Sequence, residues 1–425
     1  MTIEELYKIY LKHPSVQTDS RKLKEGDIYF ALKGANHNGN AYAKQALESG
    51  AAFAVVDEDV DSEDARIIRV NDVLTILQQL SKHHRLQFNI PFIAITGSNG
   101  KTTTKELIHV VLSSKYKTYT TEGNLNNHIG VPLTLLKIKK DAEMAVIEMG
   151  ANHQKEIEGY CAYALPTHAL ITNCGKAHLE GFGGVEGVRK GKGELFDFIR
   201  LNHGSVFLFN DYDYLIKMAE GINSVKTYGT NQADLVGVVS HDSQFLEVRI
   251  KKGAEIESIN TQLVGGYNLP NVLAAVCIGK SFDVSDDNIK SALESYQPSN
   301  SRSQLIKKDS NEIILDAYNA NPSSMKLAIE NFAKMSGNKK ILMLGSMAEL
   351  GNESQQEHQQ LVDLIKSYQW HEVVLVGNAF SEIHDQFHFF SKVDEARDWF
   401  KSQGFTDAQI LIKGSRSMQM EKLLD

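Results

Sequence analysis

The residues whose types and order best suit catalysis form one short stretch, Ile93-Ala-Ile-Thr-Gly97-Ser98-Asn99-Gly100-Lys101-Thr102-Thr103. Three apolar residues run into a glycine turn, and a helix-compatible run, Lys105-Glu-Leu-Ile-His-Val-Val-Leu, follows. Strand, glycine loop and helix in that order is the context of a phosphate-binding loop. Backbone N–H groups of Gly97, Ser98, Asn99 and Gly100, together with the following helix N-terminus, would converge on nucleotide phosphates. Lys101 would neutralise the β and γ oxygens, the Thr102 hydroxyl would hold Mg2+, and Thr103 completes the loop. The general pattern G-x-x-x-x-G-K-[ST] has a glycine where this chain has Ile95, so the fit is incomplete.

Three further clusters lie downstream. Ala145-Val-Ile-Glu148-Met-Gly-Ala-Asn-His153 puts a carboxylate at the C-terminal end of an apolar strand, the edge where open α/β sheets bind ligands. Glu148 there suits Mg2+ shared with Thr102, or else caps the next helix. Ile171-Thr-Asn-Cys-Gly-Lys-Ala-His178-Leu-Glu-Gly-Phe-Gly183 repeats the arrangement, with His178 either a second-metal ligand, a phosphate contact or a structural histidine. Gly187-Val-Arg-Lys-Gly-Lys192-Gly-Glu-Leu-Phe196 is basic and, on its own residues, reads as a solvated helix face.

The elements that must position these groups alternate. Short buried strands are expected over 27–32 and 51–56 with a helix over 41–49, and a helix over 72–86 leads onward. Thr18-Asp-Ser-Arg21 and Lys33-Gly-Ala-Asn-His-Asn-Gly-Asn40 read as solvated turns or ligand loops. Strands are then expected over 92–96, 118–121, 144–149, 169–173 and 206–209, in the apolar, helix-alternating pattern of a mostly parallel sheet. Residues 233–264 suggest an antiparallel excursion, and Gly265-Gly-Tyr-Asn268-Leu-Pro-Asn271 opens a helix through 278. After the linker Pro298-Ser-Asn-Ser-Arg302-Ser, strands over 312–316, 341–344, 372–376 and 409–412 alternate with helices starting at 322, 354 and 393. Met325, Ala328, Ile329 and Phe332 form a core-facing stripe on the first of these helices. The fold class is α/β in three domains: 1–85, a central P-loop ATPase-like domain over 86–297, and a Rossmann-like domain over 298–425.

Composition narrows the function classes. The chain has 425 residues, 42% hydrophobic and 23% charged, with a net charge of −8, which is ordinary for a globular protein and argues against general nucleic-acid or membrane-surface binding. Cys161, Cys174 and Cys277 are too scattered for a disulfide framework or a thiolate zinc site. The N-terminal residues carry early acidic groups and no signal-like apolar core, and no run approaches a membrane span, so a cytoplasmic protein is expected.

Together the motifs resemble the Mur ligases over the whole chain. Thr96-Gly-Ser-Asn-Gly-Lys-Thr-Thr is similar to the family's T-G-x-N-G-K-T-[ST], which lacks the first glycine as this chain does. Thr121-Glu-Gly-Asn-Leu-Asn126-Asn127-His-Ile-Gly-Val-Pro132, Thr172–Gly183, Asp316-Ala-Tyr-Asn319-Ala-Asn321-Pro-Ser323, Leu344-Gly-Ser-Met-Ala-Glu-Leu-Gly351 and Lys413-Gly-Ser-Arg-Ser-Met418 match in order. The Asn126-Asn127 pair and the Glu148 motif point to the branch that joins D-alanyl-D-alanine to UDP-N-acetylmuramoyl-tripeptide.

The resemblance implies a first domain that binds the UDP part of the substrate through Ser20 and Arg21. It implies ATP as cofactor, contacted by the phosphate loop, Asn268, Asn271, Arg302 and Asp316, and substrate contacts at Asn126, Asn127, Asn319 and Asn321. Lys192 matches a lysine that the family often carries as a carbamate, a metal ligand beside a second Mg2+ near His178. Three positions depart from the family pattern: Ser346 stands where Asp is common, Tyr267 where His usually precedes Asn268, and His37-Asn-Gly-Asn where Asp-Gly-His is usual.

The implied reaction activates a carboxylate as an acyl-phosphate with release of ADP, after which an amine displaces phosphate. Lys101, Lys192, His178 and Glu148 carry it by positioning and charge neutralisation. The partners are the two substrates, with no nucleic acid and no membrane span, and a monomer suffices. Rival readings are a related amide ligase of MurE or folylpolyglutamate synthase type, or a catalytically silent nucleotide-binding module.

Overall fold

Parallel strands buried on both faces dominate the computed structural model, which describes residues 1–240, 245–299, 301–384 and 386–425. Two compact units share them: Met1–Ile95, Tyr116–Ala151 and Lys155–Ala169 form one; Thr96–Lys115, Asn152–Gln154 and Leu170–Asp425 form the other.

In the first unit a four-stranded parallel sheet runs in the order Val16–Gln17, Ile28–Phe30, Phe53–Val56, Ile67–Arg69. Alternation along the strands splits its core in two. Ile28, Phe30 and Val55 face Leu6, Tyr10, Leu77 and Leu80, whereas Tyr29, Ala54 and Val56 face Ala43, Ala46 and Leu47. Two of the helices that supply these residues start at good caps. Thr2 and Glu5 form a capping box on Ile3–Lys12, and the Asp72 carboxylate accepts from Thr75 N–H ahead of Val73–Arg85. Arg85 then donates to the Ala164 and Leu165 carbonyls at 3.0 and 2.9 Å, satisfying the orphan end of helix Glu156–Ala164. Strand Met144–Glu148 in this unit lies parallel to Thr118–Thr120 and to Phe92–Thr96. The 33–40 segment, read as a loop, contains a small hairpin of Lys33–Gly34 with His37–Asn38.

The second unit holds two sheet regions. Ser205–Phe209, Ser224–Gly229 and Leu235–Val239 are parallel, and Glu247–Lys252 and Ser258–Asn260 add the antiparallel excursion. The other is a six-stranded sheet: Gln304–Lys308, Asn311–Asp316, Gln409–Lys413, Lys340–Gly345, Glu372–Val376, His388–Phe390, parallel except for its first pair. Helices Pro322–Lys334, Ser354–Lys366 and Val393–Gln403 follow three of these strands, the alternation of a doubly wound domain. Met325, Ala328, Ile329 and Phe332 are all buried, as their spacing requires. Asn300 of the linker lies outside the described residues.

Candidate active site

Strand Phe92–Thr96 ends at the glycine turn, and helix Lys101–Ser113 begins directly after it. Gly97 has φ +145°, and a Cβ there would lie 2.0 Å from Thr172 Oγ1, so only glycine fits. The turn is held by the 172–175 segment. Thr172 Oγ1 and Asn173 Nδ2 both donate to the Asn99 carbonyl, at 2.6 and 3.0 Å. Asn99 N–H donates to Asn173 Oδ1 at 3.1 Å, Ser98 N–H to the Asn173 carbonyl at 2.8 Å, and Ser98 Oγ to the Gly175 carbonyl at 2.9 Å. Lys101 folds its ammonium over the same turn, donating to the Gly97 carbonyl at 2.7 Å.

Behind the loop, polar side chains form a short chain. Thr104 Oγ1 donates to Asn271 Oδ1 at 3.0 Å, Asn271 Nδ2 to Asn268 Oδ1 at 2.9 Å, and Asn268 Nδ2 to the Val264 carbonyl at 2.9 Å. All three side chains are buried, as is Thr102; Thr103 is partly exposed. The two asparagines expected at the adenine therefore sit together, joined to the first turn of the loop helix.

Residues from beyond 300 reach the same unit's phosphate loop. Asn321 caps helix Pro322–Lys334 and exchanges amide hydrogen bonds with Asn99. Ser323 Oγ accepts from Lys176 N–H at 3.0 Å, and the Lys176 ammonium meets the buried Glu357 carboxylate at 2.5 Å. His178, in a left-handed conformation at φ +52°, places Nδ1 2.5 Å from Glu349 Oε2. The adjoining His178 imidazole lowers the Glu349 carboxyl below its ordinary value, against the opposing effect of burial. Arg302 stacks on Tyr318 with its guanidinium carbon 3.6 Å from the ring centre. Asp316 accepts from Ser303 N–H at 3.1 Å and from Lys413 at 2.5 Å, while Asn319 contributes its carbonyl to Lys413 at 3.4 Å.

Lys192 corrects the solvated-face reading of its helix. It is 1% exposed within Val185–Leu201, its ammonium 5.0 Å from the centre of the Phe182 ring. Val188, Leu195 and Ile199 are buried at helical spacing from it, so a lysine occupies a core-facing stripe. Its interruption of that stripe was the available signal.

The first unit holds the remaining candidates. Glu148 is 1% exposed at its strand end, its Oε1 accepting from Asn126 Nδ2 at 2.7 Å and its N–H bonded to Thr121 Oγ1 at 3.0 Å. Asn127 instead turns inward on the backbone, its Oδ1 accepting from Ile129 and Gly130 N–H. Ser20 and Arg21 lie on a short 3-10 turn capped by Asp19. Arg21 is exposed and bound to that carboxylate at 2.9 Å, which brings the Asp19 carboxyl down to about 2.

No group of three or more His, Cys, Asp and Glu side chains is placed for a metal ion among the described residues. The expected metal donors are of another kind: the Thr102 hydroxyl, the Glu148 carboxylate, the His178 imidazole and a carboxylated Lys192. Glu349, Lys176, Glu357, Thr172 and Asn173 were not singled out from the sequence, although four of them lie inside the motifs quoted above.

Three family models cover successive parts of the chain: "Mur ligase family, catalytic domain" over 14–85, "Mur ligase middle domain" over 95–279, and "Mur ligase, glutamate ligase domain" over 301–416. A Bacillus subtilis (strain 168) protein named UDP-N-acetylmuramoyl-tripeptide–D-alanyl-D-alanine ligase is 34% identical over 96% of this chain and 92% of its own. Among solved structures, MurF from Acinetobacter baumannii superposes with a TM-score of 0.88 at 32% identity, over 96% of this chain and 92% of that one. MurF ligase from Thermotoga maritima in complex with ADP gives 0.86 at 25% identity, over 97% of both. The chain belongs to the Mur ligase family.

Proposed function

We propose that this protein is the ATP-dependent ligase that joins D-alanyl-D-alanine to UDP-N-acetylmuramoyl-tripeptide in peptidoglycan precursor synthesis. The observation that carries the reading is the phosphate loop, held by 172–175 on one side and met by Asn321 and Ser323 on the other. The activity named for the Bacillus subtilis relative, matched over nearly its whole length, supports the choice of substrates.

The γ-phosphoryl group of ATP passes to the carboxylate of the tripeptide, breaking the bond to ADP and forming an acyl-phosphate. The dipeptide amine then attacks the carbonyl carbon, loses a proton, and expels phosphate. The loop N–H groups and Lys101 neutralise charge on the transferred group. Asn268 and Asn271 bind the adenine, with Arg302 and Asp316 completing the nucleotide contacts. Asn319 and Asn321, with Asn126 and Asn127, orient the substrates, and the segments beyond 300 exclude the water that would hydrolyse the acyl-phosphate. Ser20 and Arg21 receive the UDP part.

The Thr102 hydroxyl and the Glu148 carboxylate each offer the hard oxygen donor that Mg2+ prefers. Carboxylation of Lys192 would convert a buried amine into a further oxygen donor, with His178 beside a second ion. When bound, Mg2+ would supply positive charge against the phosphate oxygens. We assign residues 1–85, 86–297 and 298–425 to UDP-substrate, ATP and amino-substrate domains, in a cytoplasmic monomer.

The test is product analysis with purified protein. ADP and phosphate should appear only when ATP, Mg2+, UDP-N-acetylmuramoyl-tripeptide and D-alanyl-D-alanine are all present. AMP and pyrophosphate, or turnover without the dipeptide, would overturn the assignment.

A further inference from the structure

Arg302 sits in a turn whose conformation needs outside support. Its neighbours Ser301 and Ser303 have φ +55° and +47°, left-handed values that cost a non-glycine residue free energy and persist where surrounding contacts enforce them. Two such contacts reach Ser303. Asp316 Oδ1 accepts from its N–H at 3.1 Å, and the Tyr267 hydroxyl lies 3.0 Å from its Oγ. Asp316 is itself fixed by Lys413, so one side of the turn is anchored within the C-terminal sheet.

The other anchor comes from the nucleotide side. Tyr267 belongs to the 3-10 turn Gly266–Asn268, one residue before the asparagine that bonds to Asn271. Its ring is seated against Gly265, where a Cβ would lie 2.3 Å from Tyr267 Cε1 and φ is +94°. The same turn makes a second link, from Gly266 N–H to Asn331 Oδ1 at 3.3 Å. A phenol hydroxyl projects farther from the backbone than the imidazole usual at this position in Mur ligases, and here it ends on Ser303.

We propose that Tyr267 is a positioning residue: its hydroxyl holds the 301–303 turn and thereby sets Arg302 against the nucleotide that Asn268 and Asn271 bind. The inference rests on the nucleotide reading of the site. Tyr267 and Ser303 act as one unit, so removing either hydroxyl produces the whole effect.

The experiment is calorimetric titration with Mg2+ and ADP of the full-length wild type, Tyr267→Phe, Ser303→Ala and the double variant, with nucleotide-free melting temperatures alongside. Loss of one such hydrogen bond should weaken ADP binding about tenfold in each single variant, and no further in the double variant. In steady-state assays the KM for ATP should rise by about the same factor, with kcat at saturating ATP changed less than about twofold. The melting temperatures without nucleotide should match the wild type. Unchanged ADP affinity in Ser303→Ala, or effects of the two substitutions that multiply in the double variant, would overturn the coupling. If Tyr267→Phe melts early, Ser303→Ala alone decides. Failure of the wild type to bind ADP would instead overturn the nucleotide reading on which the inference stands.

Discussion

Asn99 and Asn321, 222 residues apart, hold each other by their side-chain amides: Asn321 Nδ2 donates to Asn99 Oδ1 at 2.8 Å, and Asn99 Nδ2 to Asn321 Oδ1 at 3.4 Å. The pair ties the phosphate loop to the first turn of helix Pro322–Lys334. Asn321 does two jobs, since its Oδ1 also accepts from Ser324 N–H at 2.9 Å as the helix cap. The two can be separated.

Asn321→Ser keeps a good cap but is too short to reach Asn99, whereas Asn321→Ala loses both. The expected result is a near-wild-type melting temperature for Asn321→Ser with reduced turnover. Asn321→Ala should lose turnover and also about 1 kcal/mol of stability. Melting curves and steady-state rates on the two variants check this.

Gly97→Ala should be the most damaging single change in the loop. The new methyl would meet Thr172 Oγ1 at 2.0 Å in a backbone conformation that L-residues rarely adopt. The Thr172 bond to the Asn99 carbonyl would have to break, and with it the shape of the phosphate cradle. ADP binding measured by calorimetry should be lost, while circular dichroism shows the fold retained. Full affinity would mean that the cradle is formed elsewhere.

Local features were legible in the sequence because they depend on neighbours. Gly97–Lys101 announces itself through apolar strand, glycine turn and helix, and Glu372–Val376 through a continuous apolar run, and both fall where expected. The short edge strands Gln304–Lys308 and His388–Phe390 escaped notice, being half polar and stabilised by pairing rather than pattern. Contacts between distant segments escaped as well. The motif containing Ser346 drew attention for the acid it lacks, yet Glu349, three residues on, meets His178. The basic run around Lys192 looked solvated, yet only Lys190 is exposed, Arg189 is half-buried against Tyr214, and packing alone shows that Lys192 is buried.

Lys192 therefore supports a sharp prediction. Lys192→Met keeps most of the buried volume and removes the amine, and Lys192→Ala removes both. Both variants should bind ADP like the wild type and lose turnover on the order of 100-fold or more, the loss that follows from the oxygen-donor role proposed for Lys192. Intact-mass and rate measurements on the same samples check the assignment. Wild-type rates in Lys192→Met would remove Lys192, carboxylated or not, from the chemistry.

Acid should begin to destabilise the protein below about pH 6.5, and buried histidines explain why. His358 accepts from Met347 N–H at 3.0 Å through Nε2, while Nδ1 faces the Ser354 carbonyl at 2.7 Å, an arrangement that requires the neutral ring protonated at Nδ1. His84 is likewise held between Tyr7 and the Ile138 carbonyl. Burial lowers the pKa of both, and it brings His168 down to about 4. With folded-state values below the unfolded value near 6.5, the unfolded chain binds more protons in acid. The stabilisation is complete above about pH 6.5 and is lost progressively as pH falls toward 4, by at most about 1.4 kcal/mol per pH unit for each histidine. Urea midpoints should be flat from about pH 8 to 7 and fall steadily between about pH 6.5 and 4.5. His168→Gln should shallow that decline, and an equal decline in the variant would assign the effect to other groups.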